Sequence, residues 1–242
     1  MVQIPTRQEM SDALSSRHGA SLQRLLEAAH VTICGLGGLG SNIAFALARS
    51  GVGHLHLIDF DRVDITNLNR QQYFLKQIGM YKTEALKETL SQISPYMEIQ
   101  TSTVRVTEES IPQLLGGAQI ICEAFDQPEA KAMLVSTALE KCPDAWIVSG
   151  NGMAGMESAN LIRTRLVGKR LILCGDGISD VERDGSLFAS RVMVCAAHQA
   201  LAVIQVITGG NCKSLIERRV DMNTLASATP LAARKCGFEP LP

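Results

Sequence analysis

Between Val31 and Gly51 the sequence reads VTICGLGGLGSNIAFALARSG: an apolar strand-like run, a glycine cluster and a small-residue helix in direct succession. No other stretch restricts the possible folds as tightly. Gly35, Gly37, Gly38 and Gly40 supply a G-x-G-x-x-G spacing. Glycines at a strand-to-helix junction allow a tight turn and let bare backbone approach a phosphate at the helix N-terminus. The spacing alone is a weak sign, because chance clusters in structural turns produce it. Its setting strengthens it, since the second apolar run, His54 to Asp59, ends in an acid 19 positions beyond Gly40. An acid there is placed to accept hydrogen bonds from the hydroxyls of an adenosine ribose.

The rest of the chain continues the pattern. SLQRLLEAAH has helical spacing, with Leu22, Leu25, Leu26 and Ala29 on one face. Strands are expected over Val31–Cys34, His54–Asp59, about Glu98–Val104, AQIICEAF and AWIVSG. Helices are expected from about Lys82 to Ile93, with Pro95 just beyond, and from about Pro128 to Lys141. Alternating strands and helices with short links predict an α/β fold, a Rossmann-like doubly wound sheet that is mostly parallel. After Gly150 the pattern changes. ESANLIRTRL and KRLILC are close enough to be antiparallel neighbours, giving an antiparallel extension in the C-terminal half. The loop GDGISDVERDGS and the apolar helix SRVMVCAAHQALAVIQVITGG follow. We read 1–242 as a single domain: an N-terminal helical segment over 1–30, a nucleotide-binding half over 31–150, a second half over 151–210, and an irregular tail over 211–242.

Composition excludes several classes. A formal net charge of −1 argues against a general nucleic-acid binder, and no run approaches the length of a membrane span. Seven cysteines, none in a C-x-x-C pair, suggest neither a disulfide framework nor a four-thiolate zinc site, so no zinc is expected. Reduced thiols and a polar N-terminus are those expected of a cytoplasmic protein.

The stretch IDFDRVDITNLNRQQY separates the possible nucleotides. A solvated turn needs Gly, Asn and Asp for backbone reasons, not Arg and Gln beside them. Asp61, Asn67, Asn69, Arg70 and Gln71 crowd one edge of the predicted sheet, and Lys82 opens the next helix. A guanidinium and an ammonium there make a clamp for a triphosphate, whose charge NAD does not match. Asp126, after the fourth strand, faces the same edge and suits magnesium beside polyphosphate. Taken singly, Arg70 and Lys82 also read as solvated surface charges, and Asp126 as a helix cap. Together they favour ATP with Mg2+.

These motifs, GLGGLGS, DFDRVDITNLNRQQ, GMYK and EAFD, resemble the ThiF/MoeB/HesA group, relatives of the ubiquitin-activating enzymes. The resemblance runs roughly from Ser16 to Gly209. NLNRQQYF, EAFDQPEAKAMLV, CGDG and CAAHQA look most like the short ThiF-type adenylyltransferases of thiamine biosynthesis. It implies ATP-dependent adenylation of the C-terminal glycine of a small ubiquitin-like sulfur carrier ending in Gly-Gly, ThiS-like, with release of pyrophosphate. It implies that the glycine loop and Asp59 hold the nucleotide, that Asp61, Asn67, Arg70 and Gln71 line it, and that Lys82 contacts the phosphates while Asp126 positions magnesium. It also implies a homodimer in which Arg17, in SSRHG, reaches the partner's ATP. The second half would then meet the carrier, with GNGMAGME, Gly150 to Glu157, lining the path of its thin tail or forming a simple glycine turn.

The chain departs from the group in lacking its C-x-x-C zinc motifs. Some members also use a crossover-loop cysteine for sulfur transfer, and Cys174, just before a flexible-looking loop, is the candidate on the expectation that it is exposed. Cys195 and His198 read as core residues of the long helix. Arg163 and Arg165 either meet an acidic carrier or form a solvated face. Competing readings are the molybdopterin-pathway enzyme, the tRNA threonylcarbamoyladenosine dehydratase, an NAD-dependent oxidoreductase, and a non-catalytic carrier-binding scaffold.

Overall fold

A computed structural model describes residues 4–209. The tail expected to be irregular from 211 lies outside the described residues. The chain opens with α1 (Arg7–His18) and α2 (Ala20–Glu27). Thr6 starts α1 with a capping box: its hydroxyl accepts from the Glu9 N–H, and the Glu9 carboxylate accepts from the Thr6 N–H. In α2, Leu26 is buried but Leu25, expected on the same face, is 48% exposed. Consecutive residues sit about 100° apart around a helix, and the inward face of α2 is taken by Gln23 and Leu26, which turns Leu25 outward.

Seven strands follow: β1 (His30–Cys34), β2 (His54–Ile58), β3 (Glu98–Ser102), β4 (Ile120–Glu123), β5 (Trp146–Gly150), β6 (Arg163–Val167) and β7 (Leu171–Gly175). Between them lie α3 (Gly38–Arg49), α4 (Lys82–Ile93), α5 (Ile111–Leu115) and α6 (Pro128–Lys141), and α7 (Val181–Asp184) and α8 (Ala189–Ile207) close the described chain. The sheet order is β3-β2-β1-β4-β5-β7-β6, and only β6 runs antiparallel. The predicted helices over Lys82–Ile93 and Pro128–Lys141 are present with those bounds.

Strand periodicity divides the core. Ile33, Leu57, Cys122 and Val148 face the cluster formed with α3, α4 and α8, whereas their neighbours Cys34, Ile58, Ile121 and Ile147 face α5 and α6. Helix α8, contrary to the expectation from sequence, is long and apolar enough by composition to cross a membrane. It packs instead against α3, β5 and β7, burying Val192, Cys195, Ala196, Gln199, Ala200, Ala202 and Val203 at helical spacing.

The topology also places the site. From β1 the chain moves outward through β2 to β3, then returns to lay β4 against the other side of β1. The strand order therefore reverses between β1 and β4, and ligands of open α/β sheets bind outside the carboxyl ends of the strands at such a point.

Candidate functional site

The glycine loop leaves β1 at this switch point. Gly35 has φ 89°, and a Cβ there would lie 2.8 Å from the Ala124 carbonyl oxygen of β4's exit. A Cβ on Gly40 would come within 1.8 Å of the Gly35 carbonyl oxygen, so only glycine lets α3 start this close to β1. The first turn of α3 carries no side-chain cap, leaving its N–H groups for an anion. Asp59, 8% exposed, accepts from the Leu36 N–H (2.6 Å) and the Asp61 N–H (2.8 Å). It thereby ties the loop to the end of β2, and each oxygen keeps a second lone pair for a ribose hydroxyl.

The polar loop is braced onto the same helix. Asn42 donates to the Gly38 and Arg70 carbonyls and accepts from Gln72, the Gln72 N–H donates to Ser41, and the Tyr73 hydroxyl donates to the Leu36 carbonyl. So held, Arg70 lies beside Gly38 and Gln71 beside Gly37. Among the described residues, the buried Arg70 Nε and Gln71 Oε1 have no hydrogen-bond partner. Buried polar atoms are nearly always paired, so two unpaired ones at a glycine loop fit a polar ligand. Lys82, 6% exposed, opens α4 and places Nζ 2.9 Å from Asp61 Oδ2. Asn67 is occupied locally, its side-chain oxygen accepting from the Asp64 N–H (3.0 Å). Asp126 is exposed in the bend between β4 and α6. A lone carboxylate at that edge suits a magnesium held mainly by phosphate oxygens; among the described residues no cluster of three ligating side chains stands ready for a metal.

Arg17 is the site candidate that the fold does not bring to the crevice. It is exposed on α1, and α1 lies under the amino ends of β2 and β3, where Arg7 donates to the Tyr96 carbonyl. Cys174 also departs from expectation. It is fully buried inside β7 rather than exposed in a loop, and burial pushes its thiol up to about 12. Its 3.7 Å contact with the Thr164 hydroxyl does not offset that, so it carries no reactive thiolate. Cys195 is likewise buried and pushed up to about 12. His198 is half-buried, its Nδ1 2.9 Å from Thr164 Oγ1, and burial lowers its pKa. Arg163 and Arg165 are exposed along β6.

Sequence reasoning missed two networks. Glu123, wholly buried at the end of β4, accepts from Lys131 Nζ (2.6 Å), the Ser149 hydroxyl (2.6 Å) and the Phe125 N–H (2.7 Å), fixing the turn that leads to Asp126. Asp176 meets Arg191 at 2.5 Å, both nearly inaccessible, and Arg191 also donates to the Glu157 and Ser158 carbonyls. Burial alone would raise the Asp176 carboxyl; the Ser179 and Ile178 N–H groups, with the Ser179 hydroxyl and Arg191, outweigh it and hold the group below the usual carboxylate range. In the sequence Glu123 sits inside an apolar run, and the Asp176–Arg191 pair is separated by a loop. The one available signal is the charge of Glu123 and of Arg191 inside otherwise apolar runs.

A glycine loop at the topological switch point, an acid closing β2, and Arg70, Gln71 and Lys82 at the same edge belong to an α/β protein of Rossmann type. The chain belongs to the ThiF family, whose sequence profile matches residues 10–236. The tRNA threonylcarbamoyladenosine dehydratase of Escherichia coli strain K12 is 35% identical over 136 residues, 52% of this chain and 51% of that protein. The match therefore spans about half the length of that relative. The molybdopterin-synthase adenylyltransferase of Haemophilus influenzae is 31% identical over 190 residues, 77% of this chain and 72% of that protein. The crystal structure of the Escherichia coli dehydratase in complex with ATP superposes with a TM-score of 0.77 at 20% identity, covering 88% of this chain and 100% of that one.

Proposed function

We propose that this protein is an ATP-dependent adenylyltransferase that activates the C-terminal glycine carboxylate of a small ubiquitin-like sulfur carrier. The observation that carries this reading is the pair of unpartnered buried atoms, Arg70 Nε and Gln71 Oε1, beside the uncapped start of α3. In the reaction the acceptor carboxylate oxygen attacks the α-phosphorus, an acyl–AMP bond forms, and the bond to pyrophosphate breaks. The nucleophile arrives with the substrate, so the chain supplies alignment and charge. Asp59 orients the ribose, the first turn of α3 holds the phosphates, and Arg70 and Lys82 neutralise the departing pyrophosphate. Lys82 waits on Asp61 and exchanges that carboxylate for phosphate when the nucleotide enters. Magnesium at Asp126 adds positive charge on the polyphosphate when bound.

The ThiS-like carrier of thiamine biosynthesis is the acceptor we name first, on the motifs NLNRQQYF, CGDG and CAAHQA. The carrier ends in Gly-Gly in this reading, the setting is cytoplasmic, and the enzyme is a homodimer in which Arg17, far from its own crevice, serves the partner's. A second reading, a carboxylate on tRNA, is favoured by the 35–37% identity to three bacterial threonylcarbamoyladenosine dehydratases. Magnesium-dependent pyrophosphate–ATP exchange, with a thiamine-pathway carrier, a molybdopterin-pathway carrier and modified tRNA in separate arms, tests both. Exchange that needs a Gly-Gly carrier supports the first reading, and exchange stimulated only by tRNA replaces it with the second. The absence of exchange in every arm refutes adenylation.

A further inference from the structure

We infer that Arg105, backed by Phe60, is the stacking platform for the base of the bound nucleotide, and so sets a preference for purines at this site. The inference rests on the nucleotide reading above and adds the determinant of its base specificity. Asp59 fixes where the ribose lies, so the base must extend past the carboxyl ends of β2 and β3. Those two ends are neighbours, since Ile58 pairs with Ser102 and the Asp59 N–H reaches the Ser102 carbonyl. Phe60, the next residue, is 43% exposed, and Val104, just past β3, is 42% exposed. The Arg105 guanidinium lies 4.1 Å from the Phe60 ring centroid. The segment that carries Arg105 is anchored by the Thr83–Thr103 hydroxyl contact of 2.7 Å, so the stack is held at a fixed height above the sheet.

Arg105 is exposed, so a planar guanidinium over the Phe60 ring keeps its other side open to a ligand. Arginine stacks on π-systems through that plane, whereas lysine offers only a point charge. A base laid on the outer face completes a sandwich of Phe60, Arg105 and base, and covers the apolar surface of Val104. A purine covers more of the platform than a pyrimidine.

Calorimetric titration of the full chain with ATP, CTP and tripolyphosphate, in the presence of magnesium, separates base contacts from phosphate contacts. Arg105→Lys keeps the charge and removes the plane; Phe60→Ala removes the backing of a half-exposed ring, and thermal melts verify that both variants are folded. We expect Arg105→Lys to bind ATP about tenfold more weakly, ~1.4 kcal/mol, with tripolyphosphate unchanged and the ATP-over-CTP preference reduced. Phe60→Ala should show a smaller loss in the same direction. Wild-type ATP affinity in Arg105→Lys, or parallel weakening of ATP and tripolyphosphate, would overturn the inference. A wild-type chain that binds neither compound overturns the nucleotide reading as well.

Discussion

The two halves of the sheet hold their buried polar groups differently. In the first half, around β1, β2 and β4, Arg70 and Gln71 keep buried atoms without partners, and Lys82 holds only a half-exposed carboxylate. In the second half, around β5, β6 and β7, Asp176 and Arg191 close on each other and take up the Glu157 and Ser158 carbonyls as well, although Arg191 Nε, like Arg70 Nε, has no partner. An unpaired buried polar group costs stability, and at the glycine loop two such atoms lie on neighbouring residues where a ligand would complete them. A closed pair points to a loop that must keep its shape. In the proposed reading the first half receives a ligand, and the second holds the loop from Gly150 to Glu157 against the start of α8.

That contrast can be broken by mutation, and the largest effect belongs to the closed pair. Arg191→Ala leaves a buried carboxylate unpaired, and we expect a loss of about 3–5 kcal/mol, read as a shifted urea midpoint. An unchanged midpoint would show that the clasp contributes nothing to stability. Lys82→Ala should act on rate instead. Pyrophosphate exchange should fall roughly 10²–10³-fold, as when one charge-stabilising donor is lost, while the melting temperature moves little. Equal losses in both properties would erase the distinction between the halves. Gly40→Ala drives a methyl into the Gly35 carbonyl and should cost roughly 1–3 kcal/mol, together with ATP affinity measured by titration.

A smaller effect should appear in acid. The Asp176 carboxyl is held below its ordinary value in the folded chain. Its stabilisation is therefore complete above the unfolded-state value near about 4 and disappears as pH falls below it. Asp176→Asn should flatten the stability–pH slope under about pH 4 relative to wild type, and parallel slopes would assign the acid sensitivity elsewhere. The smallest effect concerns Cys174. With its thiol pushed up to about 12 and no exposure, it should resist iodoacetamide at neutral pH until the chain is denatured. Rapid labelling mapped to Cys174 in the native state would revive a sulfur-transfer role.

Much of the site is legible in the sequence. The glycine spacing, Asp59 and the density of polar residues after it are local features, and each carries its chemistry in consecutive residues. What local spacing hides is the closing of side chains across long separations. Glu123 and Ser149 stand on different strands, and Asp176 reaches Arg191 only because β7 returns beneath α8. The neighbours Gly175 and Asp176 suggest a loop around Cys174, yet strand pairing to Gly150 on one side and Thr164 on the other buries it.

The alternation of strands and helices, the mostly parallel sheet, the antiparallel extension and the glycine spacing were legible in sequence alone, because periodicity and glycine geometry act over a few residues, whereas the short helices α5 and α7 were not. Tertiary structure decided which polar atoms remain unpaired, which cysteine is sealed, and that Arg17 stands at the far end of the sheet from Lys82. Those are properties of distances between strands and helices that no local spacing encodes: burial and pairing depend on which remote surfaces the fold brings together.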